Sequence, residues 1–206
     1  CMHLLDVAGG TGDVAFGFRK AGGVKVTICD INQQMVARGR DRAVDRGILQ
    51  GIDWCVGDAE HLPMQDRSVD AYTIAFGLRN VTEPQNALIE ACRVLKPGGR
   101  FLCLEFSHVV LPWLADVYDR YSFNVLPQLG HWIGKDREAY QYLAESIRKF
   151  PPQEELASMM QNSGLELVSW RNYTGGVVAI PKDHGRVQRP RAPVPSPNFS
   201  AISYSG

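Results

Sequence analysis

Glycines crowd one short segment near the start of the chain. It runs Asp6-Val7-Ala8-Gly9-Gly10-Thr11-Gly12-Asp13 and continues the apolar run that begins at His3. Three glycines in four positions let a backbone turn sharply and approach a ligand where side chains would intrude. Eighteen positions after Gly12, Asp30 closes a second apolar run, and a carboxylate at a strand end can accept both hydroxyls of a ribose. The pattern predicts a nucleoside-binding turn, although a tight strand-to-helix turn without a ligand has the same glycines.

A second acidic segment follows the third apolar run, Ile52 to Val56. Gly57-Asp58-Ala59-Glu60 places a carboxylate beside a small residue. Asp58 can accept a hydrogen bond from the exocyclic amine of adenine while the backbone N–H of Ala59 meets a ring nitrogen. An aspartate after a glycine also commonly opens a loop as an Asx turn. Both interpretations stay open at this point.

The elements that must position these residues alternate between strand and helix from His3 to Glu105, which is typical of a parallel sheet built from βαβ units. Asn32 is expected to cap a helix that ends near Arg46. Thr82 with Gln85 is expected to form a capping box for the next helix. These patterns predict a doubly wound α/β fold with helices covering the sheet.

The last regular patterns predict one helix and two strands. A helix is expected to open at Pro152 and to end at Gly164, and strands are expected over Leu165 to Trp170 and Gly175 to Ile180. The connection Arg171 to Thr174 is too short for a helical crossover, so the two strands should pair antiparallel.

Between residues 107 and 150 the alternation stops, and eight of the nineteen aromatic residues fall there. We interpret this stretch as an inserted helical cap, whose aromatic side chains either build the cap's own core or face an apolar ligand. From Pro181 onward, prolines without periodicity predict a disordered tail. The chain therefore divides into one domain over residues 1–180 and a tail over 181–206.

Composition narrows the classes of function. At 206 residues and 45% hydrophobic, the chain can bury one good-sized core. Lysine plus arginine equals aspartate plus glutamate at 22 each, so no global field attracts nucleic acid. No apolar run approaches the ~20 residues that span a bilayer. The five cysteines and five histidines are scattered without metal-ligand spacing, so we expect no metal.

Further segments complete a family pattern beside the glycine turn, Asp30 and the acidic segment. They are Ala75-Phe76-Gly77-Leu78-Arg79-Asn80-Val81-Thr82, Leu95-Lys96-Pro97-Gly98-Gly99, Tyr118 to Phe123 and Tyr140 to Arg148. Together the segments resemble class I S-adenosylmethionine-dependent methyltransferases. More narrowly, they resemble the ubiquinone/menaquinone biosynthesis C-methyltransferase family of the UbiE type, from residue 3 to about 180.

The resemblance implies a Rossmann-like, mostly parallel seven-stranded sheet with a helical cap and an antiparallel last strand. It implies S-adenosylmethionine as cofactor and methylation of a ring carbon of a polyprenyl benzoquinol of the 2-methoxy-6-polyprenyl-1,4-benzoquinol type, or of demethylmenaquinol. The chain departs from the family by starting almost on its first strand and by its long tail. An alternative is therefore a truncated, non-catalytic member that binds partners in a quinone-synthesis complex. A nicotinamide oxidoreductase is a third reading, which rests only on the glycine turn.

Candidate residues follow from this chemistry and from the resemblance. A guanidinium stays charged and offers several donors, so Arg79 is the catalytic candidate, holding a developing phenolate or a water, with a structural salt bridge to the cap as its alternative. The cofactor candidates are Asp6, Gly9, Gly10, Thr11, Gly12, Asp30, Asp58, Ala59 and Ala75. The substrate candidates are Asn80, Tyr118, Tyr121, Tyr142 and Arg148, and for Arg148 a structural ion pair is the alternative.

The family setting adds expectations about location and partners. We expect peripheral attachment at the matrix side of the mitochondrial inner membrane, with the bacterial cytoplasm as the alternative. Partners would be the polyprenyl quinol, a quinone-biosynthesis complex and a second copy of the chain in a homodimer.

Overall fold

The computed structural model describes residues 2–106, 142, 145–147, 149–173, 178–180 and 185–187. Most of the predicted cap lies outside these residues, and so do Tyr118, Tyr121 and Arg148. The tail is described only at residues 185–187.

Five parallel strands form the centre of the molecule. They are β1 (His3–Val7), β2 (Lys25–Asp30), β3 (Ile52–Val56), β4 (Val69–Ala75) and β5 (Leu95–Phe106). Their order is β3-β2-β1-β4-β5, so the chain reverses direction across the sheet between β1 and β4. In open α/β sheets, ligands bind at such a switch point, outside the carboxyl ends of the strands. The predicted doubly wound arrangement of alternating strands and helices is therefore present.

Among the residues that the structure describes, these strands are flanked by the helices α1 (Asp13–Lys20), α2 (Gln33–Asp45), α3 (Pro84–Val94) and α4 (Gln153–Asn162). The predicted cap of α2 is confirmed, because the Asn32 side chain accepts hydrogen bonds from the backbone N–H groups of Gln34 and Met35. None of the helices in the described part of the chain is long and apolar enough to cross a bilayer.

The predicted capping box before α3 is wrong. The N-cap is Glu83, and it makes no side-chain capping bond. The Gln85 amide instead donates to the Ser163 hydroxyl at 2.7 Å, just past the end of α4. Pro84 opens α3 without a cap because its fixed φ already suits the first turn of a helix.

Four short strands complete the sheet: β6 (Leu165–Glu166), β7 (Arg171–Tyr173), β8 (Val178–Ile180) and β9 (Gly185–Val187). β8 pairs antiparallel with β5 and β7, while β9 pairs antiparallel with β5 and β6. The described residues thus hold nine strands where seven were expected.

Two differences from the expected strands have local causes. The strand predicted from Leu165 to Trp170 stops after Glu166 because Leu167 has a φ of 57°, a left-handed conformation that a strand does not accommodate. The expected connection at residues 171–173 is itself a strand, β7. The prediction of disorder from Pro181 onward is wrong for Gly185–Val187, whose backbone pairs with two strands.

The main core lies between the sheet and the helices α3 and α4. Leu5, Tyr72, Leu88 and Phe101 are buried there, and the rings of Tyr72 and Phe101 stack with centroids 5.3 Å apart. This core fixes β1, β4 and β5 against one another and so holds their carboxyl ends at one edge of the sheet.

Candidate functional site

The glycine turn lies at the carboxyl end of β1. Gly12 has a φ of 89° and is the N-cap of α1, a conformation that favours glycine. A side chain on Gly9 would begin 2.8 Å from Cγ2 of Ile28 and 3.0 Å from Oδ2 of Asp6. The turn therefore packs tightly against β1 and β2 on one side. Its other side lies at the sheet edge, where the backbone can meet a ligand.

Asp30, at the end of β2, holds this turn in place. One carboxylate oxygen accepts the backbone N–H of Gly10 at 2.8 Å, and the other accepts the backbone N–H of Asn32 at 2.8 Å. Each carboxylate oxygen carries a second lone pair, so the group can still accept hydroxyl donors. Asp30 thus joins the turn to the start of α2, and its contact with a ribose stays a prediction.

Asp6 is a buried carboxyl group inside β1, with 1% of its surface exposed. Its Oδ1 accepts the Thr73 hydroxyl at 2.7 Å, while Oδ2 has no hydrogen-bond partner within the described part of the chain. Burial raises the pKa of Asp6 to about 7, against the opposing effect of the Thr73 bond. An unpartnered carboxylate oxygen beside Gly9 fits a cationic ligand group.

The Thr11 side chain contacts a surface cluster rather than the edge of β1. Arg42 of α2 donates to the Thr11 hydroxyl and, at 2.7 Å, to the carboxylate of Asp13. This cluster ties α2 to the start of α1 behind the glycine turn. Sequence reasoning missed Arg42 because a basic residue on an exposed helix face gives no signal of a partner 29 positions away.

Asp58 shows the geometry of an Asx turn. Its Oδ1 accepts the backbone N–H of Glu60 at 2.9 Å. Ala59 is 9% exposed and belongs to the main core cluster. The segment therefore follows β3 at the same sheet edge as the glycine turn, and recognition of adenine by Asp58 and Ala59 stays a prediction.

A buried ion pair joins the turn after β4 to the end of β5. Nη1 of Arg79 lies 2.8 Å from Oε2 of Glu105, with side chains 10% and 3% exposed. The same nitrogen donates to the carbonyl of Phe76 at 2.7 Å, and the guanidinium carbon lies 5.3 Å from the ring centre of Phe106. The salt-bridge partner expected in the cap is thus found on β5.

Two further features of this pair bear on its chemistry. Nε of Arg79 is buried and has no hydrogen-bond partner within the described residues, so this N–H group is left without an acceptor there. Burial raises the pKa of Glu105 above its usual value, although the positive charge of Arg79 opposes the shift. Sequence reasoning treated Glu105 only as the end of a strand. An acid inside the apolar run Phe101 to Phe106 is the signal that it overlooked.

The turn after β4 also brings two substrate candidates together. Ala75 ends β4, and Phe76 then takes a φ of 55°, which is strained for a residue with a side chain. The Asn80 amide donates to the Phe76 carbonyl at 3.3 Å, and the Tyr142 hydroxyl donates to Oδ1 of Asn80 at 3.1 Å. Tyr142 is 60% exposed. Asn80 and Tyr142 therefore lie beside Arg79, as a shared pocket would require.

No group of three or more histidine, cysteine, aspartate or glutamate side chains that could hold a metal ion occurs in the described ranges. The absence of a resident metal stays a prediction. The described cysteines Cys29, Cys55, Cys92 and Cys103 are all free thiols.

Comparison with known proteins points to one family. Residues 1–184 match the model of the ubiE/COQ5 methyltransferase family. The chain is 54% identical over 178 residues to the ubiquinone/menaquinone biosynthesis C-methyltransferase UbiE of Brucella abortus, covering 85% of this chain and 66% of that relative, just under two thirds.

Two solved structures are similar in fold. A putative methyltransferase from Bacillus halodurans aligns with a TM-score of 0.61 at 26% identity, covering 83% of this chain and 65% of that one. A SAM-dependent methyltransferase from Aquifex aeolicus aligns with a TM-score of 0.58 at 19% identity, covering 87% of this chain and 79% of that one.

Proposed function

Because the chain belongs to the ubiE/COQ5 methyltransferase family, we propose that it is an S-adenosylmethionine-dependent C-methyltransferase of quinone biosynthesis. The observation that carries the proposal is the 54% identity over 178 residues to a C-methyltransferase of ubiquinone and menaquinone biosynthesis. The geometry at the carboxyl ends of β1, β2 and β4 supports it. Nothing in the described residues favours a non-catalytic role.

The residues along this edge fit the proposed cofactor. The bound cofactor supplies an electrophilic methyl group on a sulfonium. Asp6 would meet the methionine amine with its unpartnered oxygen, and Asp30 would hold the ribose hydroxyls at the end of β2. Asp58 and Ala59 would read the adenine, while Gly9, Gly10 and Gly12 let the backbone approach.

Arg79 would act on the substrate hydroxyl. A ring carbon becomes nucleophilic when the neighbouring phenol loses its proton, and the resulting phenolate needs a stabilising cation. The guanidinium stays charged, so Arg79 cannot itself be the base, but its free Nε–H can hold the phenolate or a water that takes the proton. The ion pair with Glu105 keeps the guanidinium fixed. Asn80 and Tyr142 would line the ring pocket beside it.

We propose a 2-methoxy-6-polyprenyl-1,4-benzoquinol as the acceptor, with demethylmenaquinol as a further acceptor. Such a lipid quinol resides in a bilayer, so the enzyme would work as a peripheral protein beside a membrane. The bacterial relatives favour the bacterial cytoplasm over the mitochondrial matrix that the sequence analysis put first. Homodimer formation and membership of a quinone-biosynthesis complex stay predictions.

A methyl-transfer assay tests the proposal directly. The protein is incubated with S-adenosylmethionine and a benzoquinol made by chemical reduction of the corresponding quinone. The product is identified by mass spectrometry. We expect one methyl group on a ring carbon. Arg79→Ala should retain cofactor affinity in calorimetry and lose turnover, whereas Asp30→Ala should lose cofactor affinity. An O-methylated product, or no product from the unaltered protein, would contradict the proposal.

A further inference from the structure

An apolar cleft lies between α4 and the carboxyl half of β5. The space within and in front of it, open solvent included, is about 450 Å³. Its apolar wall includes Cys103, Phe106, Leu156, Ala157, Met160 and Val168. The cleft is separate from the glycine turn, since none of its lining residues belongs to that turn.

The cleft starts at the proposed reaction site. Glu105 contributes to its wall and lies 2.8 Å from the guanidinium of Arg79. Phe106, also in the wall, has its ring centre 5.3 Å from the same guanidinium. A ligand whose polar head contacts Arg79 could therefore extend an apolar chain into the cleft without crossing solvent.

The side chains that line the cleft favour an apolar ligand. The one carboxylate in the wall, Glu105, is already engaged by Arg79, and the remaining surface is dominated by aliphatic and aromatic carbon. Trp170, which also lines the cleft, keeps 37% of its surface exposed and so offers an aromatic surface that an apolar ligand can cover. Each methylene that such a surface buries tightens binding roughly fourfold.

We propose that this cleft binds the isoprenoid tail of the quinol, so that the ring is held at Arg79 and the first isoprene units lie along α4. The inference rests on the proposed function, because it takes the polyprenyl quinol as the acceptor. It adds a tail-binding subsite made by α4, β5 and the segment 168–170, and it makes α4 a determinant of substrate choice.

The test compares two acceptors that share one methoxybenzoquinol ring, one carrying a three-isoprene chain and the other no chain. Ala157→Leu fills the cleft from α4, whereas Ser158→Leu adds the same side chain to the exposed face of the same helix. We expect Ala157→Leu to lower the kcat/KM ratio of the chain-bearing to the chain-free acceptor about tenfold, and Ser158→Leu to keep the wild-type ratio. Equal ratios in both variants would overturn the proposal.

A second variant and a binding assay keep the subsite testable if the first variant fails to fold or the acceptors are not methylated. If Ala157→Leu does not fold, Val168→Phe fills the cleft from another lining position outside α4 and should lower the same ratio. Calorimetry with farnesol, an isoprenoid alcohol without a ring, should show binding to the wild-type protein that the filled variant loses. If neither acceptor is methylated, the proposed function fails while farnesol binding still decides the subsite. Methylation of both acceptors without farnesol binding would overturn the subsite alone.

Discussion

Asp6 carries a carboxyl group whose charge changes close to neutral pH. Burial raises its pKa to about 7, so much of it is protonated just below neutrality. If the ionised form meets the cofactor amine, the affinity for S-adenosylmethionine should rise between about pH 6 and 7.5, while that amine remains largely protonated. Calorimetry across this range checks the slope. Asp6→Asn should bind weakly with no such slope, and an unchanged slope in that variant would remove Asp6 from the site.

The same shift predicts a pH dependence of stability. The folded state holds the Asp6 proton up to about pH 7, whereas the unfolded chain releases it near its ordinary pKa. The free energy of unfolding should therefore fall as pH rises through this window, by at most about 4 kcal/mol from this one group, and level off above it. Urea unfolding at about pH 5 and pH 8 measures the difference. Asp6→Asn, which cannot ionise, should lose less stability over that interval, and a loss equal to the wild type would contradict the assignment.

Glu105 has a structural and a functional role that one variant can separate. Glu105→Gln leaves the charge of Arg79 buried without a counter-charge, and breaking a buried pair in this way costs about 3 kcal/mol. We expect lower stability in denaturant and lower methyl transfer, with cofactor affinity close to that of the wild type. Glu90→Gln is the matched control, because its partner Arg93 keeps a second acid, Asp66, at 2.6 Å. An equal loss of turnover in both variants would show that the effect is general destabilisation.

At the scale of single elements, a substitution at the start of α2 can change the stability of the helix without changing the contact to Asp30. Asn32 caps the helix through its side chain, but it contacts Asp30 through its backbone N–H. Asn32→Ala should therefore cost about 1 kcal/mol of stability and leave cofactor affinity nearly unchanged. Asn32→Ser, which can still cap, should recover most of the stability. Loss of cofactor affinity in Asn32→Ala alone would mean that the cap itself positions Asp30.

The elements that the sequence predicted share a local cause. β1 to β5 and α2 follow from apolar periodicity, glycine turns and the side chain of Asn32, all of which act within a few residues. The predictions that were wrong or incomplete concern residues whose partners are distant in the sequence. Gln85 looks like part of a capping box, yet it bonds to Ser163. Arg79 could be singled out from its motif, but its partner Glu105 is 26 positions away and is visible only in the fold.

At the scale of the whole molecule, β5 connects the site to the end of the chain. One edge of β5 pairs with β4 at Leu95 and from Arg100 to Leu104. The other edge is shared, because β9 pairs at Arg100 and Phe101 while β8 pairs at Glu105 and Phe106. Two separate late segments therefore cover the strand that carries the partner of Arg79. The position of Glu105 therefore depends on the pairing of β8 and β9 with this edge of β5.

This sharing predicts different effects for two truncations. A chain ending at residue 184 lacks β9, which leaves the backbone groups at Arg100 and Phe101 without their partner strand on that edge and β6 without the strand that it pairs with among the described residues. Each lost backbone hydrogen bond costs about 1 kcal/mol, so the thermal midpoint should fall by roughly 4–10 °C. A chain ending at residue 190 retains β9 and should unfold near the wild-type temperature. Because β8 still covers Glu105, the shorter chain should keep its cofactor affinity below its midpoint, as calorimetry can measure. Equal midpoints for the two chains would show that β9 contributes nothing to the sheet.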